Sequence, residues 1–200
     1  DSVDMVSLLC LQRAKSGGRS TIASSYTIHD EMWKRRPDLA QVLYGPVPRN
    51  RRKEIPTGKG PWYELPIFNF CGGRLSVSYL RQFIDEAQAF PEIGPFDPLL
   101  VDALDMVADL ASDPELFLSM DFQPGDIQLL HNHQILHNRT AYEDWPELER
   151  RRYLLRLWLS PPDGLTLPDA FAERYGSTSV GDRGGVVVEG TERHVPLTAV

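Results

Sequence analysis

The amino-acid sequence predicts a mainly β fold with helical insertions, built on a double-stranded β-helix, or jelly-roll, core. Many short apolar runs have the length of strands, long proline- and glycine-rich loops separate them, and few segments carry a helical period. A parallel doubly wound sheet is disfavoured because strands and helices do not alternate. With 42% hydrophobic and 24% charged residues, the chain is typical of a single globular domain, residues 1–200.

The first third of the chain alternates short predicted elements with loops. Residues 5–11 form a continuous apolar run that predicts a buried strand, and residues 20–25 predict a second strand. Thr27 is expected to cap a short helix that ends at Arg36, after which a second helix runs over residues 37–43.

Residues 45–66 contain five prolines, three glycines and a basic cluster, which predicts a long loop. The cluster consists of Arg49, Arg51, Arg52 and Lys53, with Trp62 and Tyr63 close behind. Such a loop either closes over an anionic or amphipathic small molecule or is a solvated basic surface, and the sequence leaves both open.

The rest of the chain contains a hairpin, two helices and three further strands. Residues 67–70 and 75–79 flank two glycines and predict a hairpin, followed by helices over residues 80–90 and from Asp97 to Ser112. Strands are predicted at residues 116–120, 127–130 and 153–159, and an apolar run occupies residues 186–188.

Charge and cysteine content exclude several classes of protein. A net charge of −7 argues against binding nucleic acid, and no apolar stretch approaches the roughly 20 residues of a membrane span, so a small-molecule substrate is expected. Cys10 and Cys71 do not form a spaced disulfide framework, which predicts a reducing, cytoplasmic location. The oligomeric state, a homo-oligomer included, stays open.

Three of the five histidines, His131, His133 and His137, fall within seven residues. On a regular strand they would share a face, but Asn132 and Asn138 argue against regularity there. Each of the first two is more readily explained as a surface or hydrogen-bonding histidine. A cupin-like metal site that uses His131 and His133 is an alternative, although it lacks a third ligand at matching spacing.

Arg152 and Arg156 stand four residues apart in a predicted strand and project to the same face, together with Leu154 and Trp158. Two guanidinium groups on one strand face either form surface salt bridges or hold a carboxylate ligand in bidentate fashion. The pattern alone does not separate these two roles.

Several of these segments resemble the signature of the taurine dioxygenase and gamma-butyrobetaine hydroxylase-like (TauD/TfdA-like) oxygenases. The C-terminal part of the resemblance lies in GDIQ (125–128), Asn132, LHNRTAY (136–142) and RYLLRLW (152–158). Its N-terminal part lies in Asp1, DMVSLLCL (4–11) and GGRS (17–20), which is similar to the family's segment from the aspartate of its His-x-Asp motif onward. The resemblance spans nearly the whole chain, with the segments in the family's order.

The resemblance implies a jelly-roll dioxygenase that uses Fe(II), O2 and the co-substrate 2-oxoglutarate to oxidise a small organic molecule, with release of succinate and CO2. It implies that Asp1 and His137 are metal ligands, and that the family's other histidine would lie two residues before Asp1. Arg156 is expected to pair with the far carboxylate of 2-oxoglutarate, with Arg152 in an accessory position and Ser20 adding a hydroxyl.

Asn132 is expected near the mouth of the metal site, as part of the co-substrate pocket. We interpret the chain as the C-terminal part of the catalytic domain, with its jelly roll incomplete at the N-terminus. A catalytically degenerate homologue that only binds a small molecule is the remaining alternative, and the identity of the substrate is not determined by the sequence.

Overall fold

The computed structural model describes residues 1–185, so the predicted apolar run at residues 186–188 lies outside the described part. Twelve strands and five α-helices are found there. The strands are β1 Met5–Gln12, β2 Ser16–Gly17, β3 Ser20–Ser24, β4 Pro48–Asn50, β5 Trp62–Glu64, β6 Phe68–Cys71, β7 Arg74–Val77, β8 Phe117–Met120, β9 Ile127–His131, β10 Ile135–Arg139, β11 Tyr142–Glu143 and β12 Tyr153–Leu159. The helices are α1 Ser25–Arg35, α2 Pro37–Val42, α3 Arg81–Ala87, α4 Pro98–Ala111 and α5 Ala172–Tyr175, with 3₁₀ helices at Leu148–Arg150 and Asp169–Phe171.

Two three-stranded antiparallel sheets form the β part of the fold. In the first sheet β1 lies between β12 and β9, and in the second β3 lies between β10 and β8. The mainly β character with helical insertions is therefore confirmed. Within residues 1–185, no helix has the length and apolar character that a membrane crossing requires.

Strand β10 is absent from the sequence prediction. Its residues His137, Asn138 and Arg139 are polar and do not show the apolar alternation of a strand. Pairing with β3, rather than local preference, makes this segment extended, with His137 opposite Ile22. Because β9 ends at His131 and β10 begins at Ile135, the three clustered histidines do not share one regular strand.

The helices begin where side-chain caps are available. Asp97 caps α4 by accepting a hydrogen bond from the backbone N–H of Leu99, as its position before Pro98 predicts. For α1 the cap is Ser24 rather than the expected Thr27, because the Ser24 hydroxyl accepts from the Thr27 backbone N–H. Apolar faces of α1, α2 and α4 pack with β6 and β7 into the main core, which includes Met32, Leu43, Phe68, Leu75, Leu104 and Val107.

The predicted long loop at residues 45–66 contains the short strand pair β4 and β5. The expectation of a solvated basic surface is wrong for two of its arginines, because Arg49 and Arg51 are each only 2% exposed. Arg51 pairs with Glu173 at 2.8 Å, and Arg52 pairs with Glu86 at 2.6 Å. Burial and pairing of these side chains fix the segment against its neighbours.

The first sheet has one face toward a cavity and one apolar face exposed. The exposed face carries alternate residues of its two outer strands, namely Ile127, Leu129, Tyr153, Leu155, Leu157 and Leu159. The opposite face of β12 carries Leu154, Arg156 and Trp158, as the period of two predicts. Among the described residues, this sheet therefore buries only its cavity side.

A buried charge cluster ties the start of the chain to its C-terminal part. The Asp4 carboxylate lies 2.8 Å from His133 Nε2, 2.8 Å from Arg183 Nη2, and accepts a hydrogen bond from Ser160 Oγ at 3.1 Å. Burial alone would raise the pKa of Asp4, but the hydrogen bonds from His133 and Arg183 outweigh it and lower the pKa below its usual value. Asp4 is therefore held as a carboxylate, anchored from three segments.

Replacing Arg183 by Met should destabilise the protein, because it leaves the Asp4 carboxylate buried with only part of its compensation. We expect a loss of about 3–5 kcal/mol in the free energy of unfolding, measured by urea denaturation. The matched control is Arg36→Met, which removes an exposed ion pair to Asp38 and should leave the midpoint almost unchanged. Equal midpoints for the two variants would contradict the stabilising role of the cluster.

Candidate active site

A cavity of about 1250 Å³ lies between the two sheets. The first sheet contributes Leu8 and Arg156 to its wall, and the second contributes Ser20 and His137. Ligand pockets of roughly 300–1,000 Å³ accommodate one drug-sized molecule, so this space is large enough for two small ligands side by side.

His137 projects from β10 into this cavity, held in place by the pairing of β10 with β3. Burial of the imidazole is the largest cause that lowers the pKa of His137 to about 4, followed by the positive charges of the Asp1 amino group and of Arg156. The ring is therefore neutral at physiological pH, which is the form that donates a lone pair to a metal.

The Asp1 carboxylate faces the same point of the cavity and is only 5% exposed. Its Oδ1 accepts hydrogen bonds from Trp158 Nε1 at 2.9 Å and from Arg156 Nη1 at 3.0 Å. Its Oδ2 lies 3.3 Å from His137 Nε2. One oxygen is thus fixed by β12, while the other is directed at the imidazole on β10.

This pair fits two adjacent ligands of an octahedral metal ion. Ligand atoms at adjacent corners, each about 2.1 Å from the metal, stand about 3.0 Å apart, close to the separation seen between Asp1 and His137. No group of three or more His, Cys, Asp or Glu side chains that could hold a metal is found in residues 1–185. Within the described residues, the sequence-predicted ligands Asp1 and His137 therefore form a pair without a third such side chain.

Asn132 lines the cavity and fixes the backbone that presents Asp1. Its Nδ2 donates hydrogen bonds to the carbonyl oxygens of Asp1, at 3.0 Å, and Val3, at 2.8 Å. This arrangement uses the amide as a tether, so the described contacts give Asn132 a positioning role beside the metal pair.

Ser20 and Arg152 lie together at the other end of the same wall. Ser20 is two residues from Ile22, the partner of His137, so it is displaced by about 7 Å along β3 on the same face. Arg152 packs against Gly18, where a Cβ would come within 3.4 Å of its Nε. Position 17 also requires glycine, because the Cβ of any other residue there would lie 2.3 Å from the carbonyl oxygen of Ala141.

The sequence-predicted residues therefore divide into two groups within one cavity. Asp1, His137, Arg156 and Asn132 are brought together around the carboxylate, whereas Ser20 and Arg152 stand further along the wall. Sequence reasoning gave Trp158 no role, although its place on the same strand face as Arg156 is a signal that it would reach the site. Arg49, one of the basic cluster for which the sequence left both a ligand-binding and a solvated role open, lines the cavity from β4.

His133 is committed to the buried contact with Asp4, in which both side chains are 1% exposed. His131 stacks edge-on against His133 with ring centroids 5.8 Å apart, and its pKa is lowered by burial. In the described part of the chain, these two histidines join no third ligand. The cupin-like alternative therefore lacks its ligand set.

Residues 1–158 match the sequence profile of the family described as "Taurine catabolism dioxygenase TauD, TfdA family". The chain is 36% identical over 181 residues to FR-33289 synthase of Streptomyces rubellomurinus, covering 88% of this chain and 53% of that protein. It is 32% identical over 180 residues to the taurine hydroxylase-like protein SAT17 of Stachybotrys chartarum, covering 81% and 43%. The chain thus spans about half the length of the curated relatives that it matches.

Solved structures share the fold at low sequence identity. An asparagine oxygenase in complex with Fe(II), 3-hydroxyasparagine and succinate superposes with a TM-score of 0.57 at 18% identity, over 82% of this chain and 51% of that one. The non-heme iron oxygenase OrfP in complex with Fe superposes with a TM-score of 0.54 at 15% identity, over 90% and 53%. These likenesses establish a common fold.

Replacing Trp158 by Phe removes the indole N–H that orients Asp1 Oδ1 while keeping an aromatic side chain. The hypothesis that Asp1 is a metal ligand predicts that Fe(II) binding in an anaerobic titration weakens about 10- to 100-fold, the usual effect of losing a hydrogen bond to a metal ligand. Trp33→Phe is the control, because Trp33 Nε1 bonds to His29 instead. Unchanged affinity in both variants would refute the orienting role of Trp158.

Proposed function

The chain belongs to the TauD, TfdA family, and we propose that it is an Fe(II)- and 2-oxoglutarate-dependent dioxygenase that hydroxylates a small organic substrate. The observation that carries this proposal is the convergence of Asp1 Oδ2 and His137 Nε2 at 3.3 Å inside the cavity. A buried carboxylate and a neutral imidazole meeting in a cavity are two of the three ligands of a 2-His-1-carboxylate iron site.

The proposal assigns Asp1 and His137 as Fe(II) ligands, with the family's other histidine two residues before Asp1. Bound iron and 2-oxoglutarate together supply the oxidising power, consuming O2 and releasing succinate and CO2. The protein's own part is positioning: Trp158 and Arg156 hold one carboxylate oxygen so that the other points to the metal position. Asn132 holds the backbone of Asp1 in place.

The finer description of the fold is part of the same proposal. We interpret the two three-stranded sheets as the facing sheets of a jelly roll within one catalytic domain, residues 1–200. The cavity that both sheets line supports this interpretation, because the inner faces of a jelly roll oppose each other across its interior.

Two arginines compete for the far carboxylate of 2-oxoglutarate. Sequence analysis assigned it to Arg156, but Arg156 Nη1 contacts the carboxylate of the proposed metal ligand Asp1. The keto-acid end of the co-substrate chelates the metal, so the far carboxylate must lie several ångströms away. Arg152 beside Gly18, with Ser20 about 7 Å along β3 from the residue opposite His137, fits that separation better. We therefore favour Arg152 and Ser20 for the far carboxylate, with Arg156 supporting Asp1.

The proposed location is the cytoplasm, as the sequence predicts. Cys10 and Cys71 are both free, which suits a reducing compartment. The proposed partners are the small-molecule substrate and O2.

The central test is turnover by the full-length protein. With Fe(II), ascorbate, 2-oxoglutarate and a panel of small acids and amines, it should release succinate, and His137→Ala should reduce this release by at least about 100-fold because the iron loses a ligand. A degenerate homologue would bind ligands without releasing succinate. Absence of succinate with every substrate, despite bound Fe(II) and 2-oxoglutarate, would therefore favour the binding module.

Arg152→Met and Arg156→Met separate the two arginine roles. We expect Arg152→Met to raise the 2-oxoglutarate concentration needed for half-maximal turnover by about 10- to 100-fold, the value of one charge-assisted contact, with Fe(II) affinity unchanged. Arg156→Met should mainly weaken Fe(II) binding. The opposite pattern would restore the assignment of the far carboxylate to Arg156.

A further inference from the structure

Arg49 is a fully buried cation without a carboxylate partner. Its Nη2 donates to the carbonyl oxygens of Ser78, at 2.7 Å, and Pro66, at 3.4 Å. The remaining donors, Nε and Nη1, are buried and make no hydrogen bond of normal geometry, and the neighbouring polar side chain is Tyr63, whose ring centre lies 5.9 Å from the guanidinium carbon. No salt bridge to Arg49 is found in residues 1–185.

The neighbouring arginines show how this protein normally treats such a group. Arg51, two residues further on and equally buried, is paired with Glu173, and the buried Arg183 is paired with Asp4. A buried charge that is not compensated costs several kcal/mol, so pairing is the rule. Arg49 differs from these two buried arginines because no carboxylate in residues 1–185 pairs with it.

The guanidinium of Arg49 keeps its charge despite this environment. Burial, together with the positive charge of Arg174, lowers its pKa to about 10, while the hydroxyl-bearing rings of Tyr63 and Tyr175 partly oppose the shift. At physiological pH the group is therefore still protonated. A positive charge that is buried in a protein wall attracts an anion more strongly than one in bulk water.

Arg49, Tyr63 and Tyr175 line the same cavity as Asp1 and His137. On the basis of the proposed function, we propose that Arg49 is the subsite for an anionic group of the primary substrate, a carboxylate or a phosphonate. The guanidinium supplies the positive charge and a charge-assisted hydrogen bond, and the rings of Tyr63 and Tyr175 line the cavity beside it. The substrate is thereby oriented with its charged end at β4 and its reacting carbon toward the metal pair.

The anion at Arg49 is distinct from 2-oxoglutarate. Arg49 is surrounded by Tyr63, Ser78 and Arg174, whereas Arg152 is surrounded by Gly18, Tyr142 and Arg139. These two sets share no residue, so the two arginines serve separate ends of the cavity. A cavity of about 1250 Å³ has room for both anions.

The test is calorimetric titration of the full-length protein, saturated with 2-oxoglutarate, with methylphosphonate, propionate and neutral propionamide. We expect at least one anion to bind and propionamide not to. Arg49→Met should weaken the anion by about 10- to 100-fold, because it removes charge-assisted hydrogen bonds. Arg51→Met is the matched control, a buried arginine of the same segment whose partner is Glu173, and it should leave anion affinity unchanged.

The two anions distinguish the two candidate groups of the substrate: tighter binding of methylphosphonate indicates a phosphonate, and tighter binding of propionate indicates a carboxylate. The inference is overturned if wild-type protein binds neither anion, if Arg49→Met binds them as wild type does, or if Arg49→Met loses 2-oxoglutarate to the same extent. Should Arg49→Met fail to fold, Arg49→Lys decides: it keeps the charge but loses the planar fork, so severalfold weaker binding supports the inference and equal affinity contradicts it.

Failure of the proposed function gives a different result. If wild-type protein binds no Fe(II) or 2-oxoglutarate but still binds an anion through Arg49, the dioxygenase assignment is wrong while the anion site stands. If Fe(II) and 2-oxoglutarate bind but the affinity for the anions does not depend on Arg49, the anion site is wrong while the dioxygenase assignment stands.

Discussion

The Asp1 carboxylate is the interaction on which the site depends, because it connects the two sheets across the cavity. One oxygen is held by Trp158 and Arg156 of the first sheet, and the other faces His137 of the second. In the proposed metal site, a carboxylate fixed in this way would give the metal ion one ligand with a defined direction. The separation of the sheets, and therefore the geometry of the cavity, is tied to this contact.

Burial of charge is the second constraint. The fold accepts buried cations where a carboxylate lies opposite, as Asp4 does for Arg183 and Glu173 does for Arg51. In each of these pairs the carboxylate offsets the free energy of burying the guanidinium, so the pair stabilises the fold. Arg49 has no carboxylate partner in residues 1–185 and contacts the carbonyl oxygens of Ser78 and Pro66 and the ring of Tyr63, which is why we propose that its charge serves a ligand.

The same comparison explains why neighbouring histidines have different roles. His133 faces Asp4 and stabilises the fold, while His137, four residues later, faces the cavity. The turn between β9 and β10 reverses the chain between them. His133 lies in the turn itself and His137 lies on β10, so histidines that are close in sequence can face different surroundings.

Sequence alone determined the mainly β class, the strands at β1, β3, β9 and β12, the caps and length of α4, and the resemblance that led to the family. These follow from local apolar periodicity, turn chemistry and motif order, which are properties of nearest neighbours along the chain. Tertiary structure decided that polar residues 135–139 form a strand, that Arg49 and Arg51 are buried, and that Trp158 supports Asp1. Each of these depends on partners distant in sequence, such as β3 for β10 and Asp1 for Trp158, and short-range patterns carry no information on which distant groups will meet.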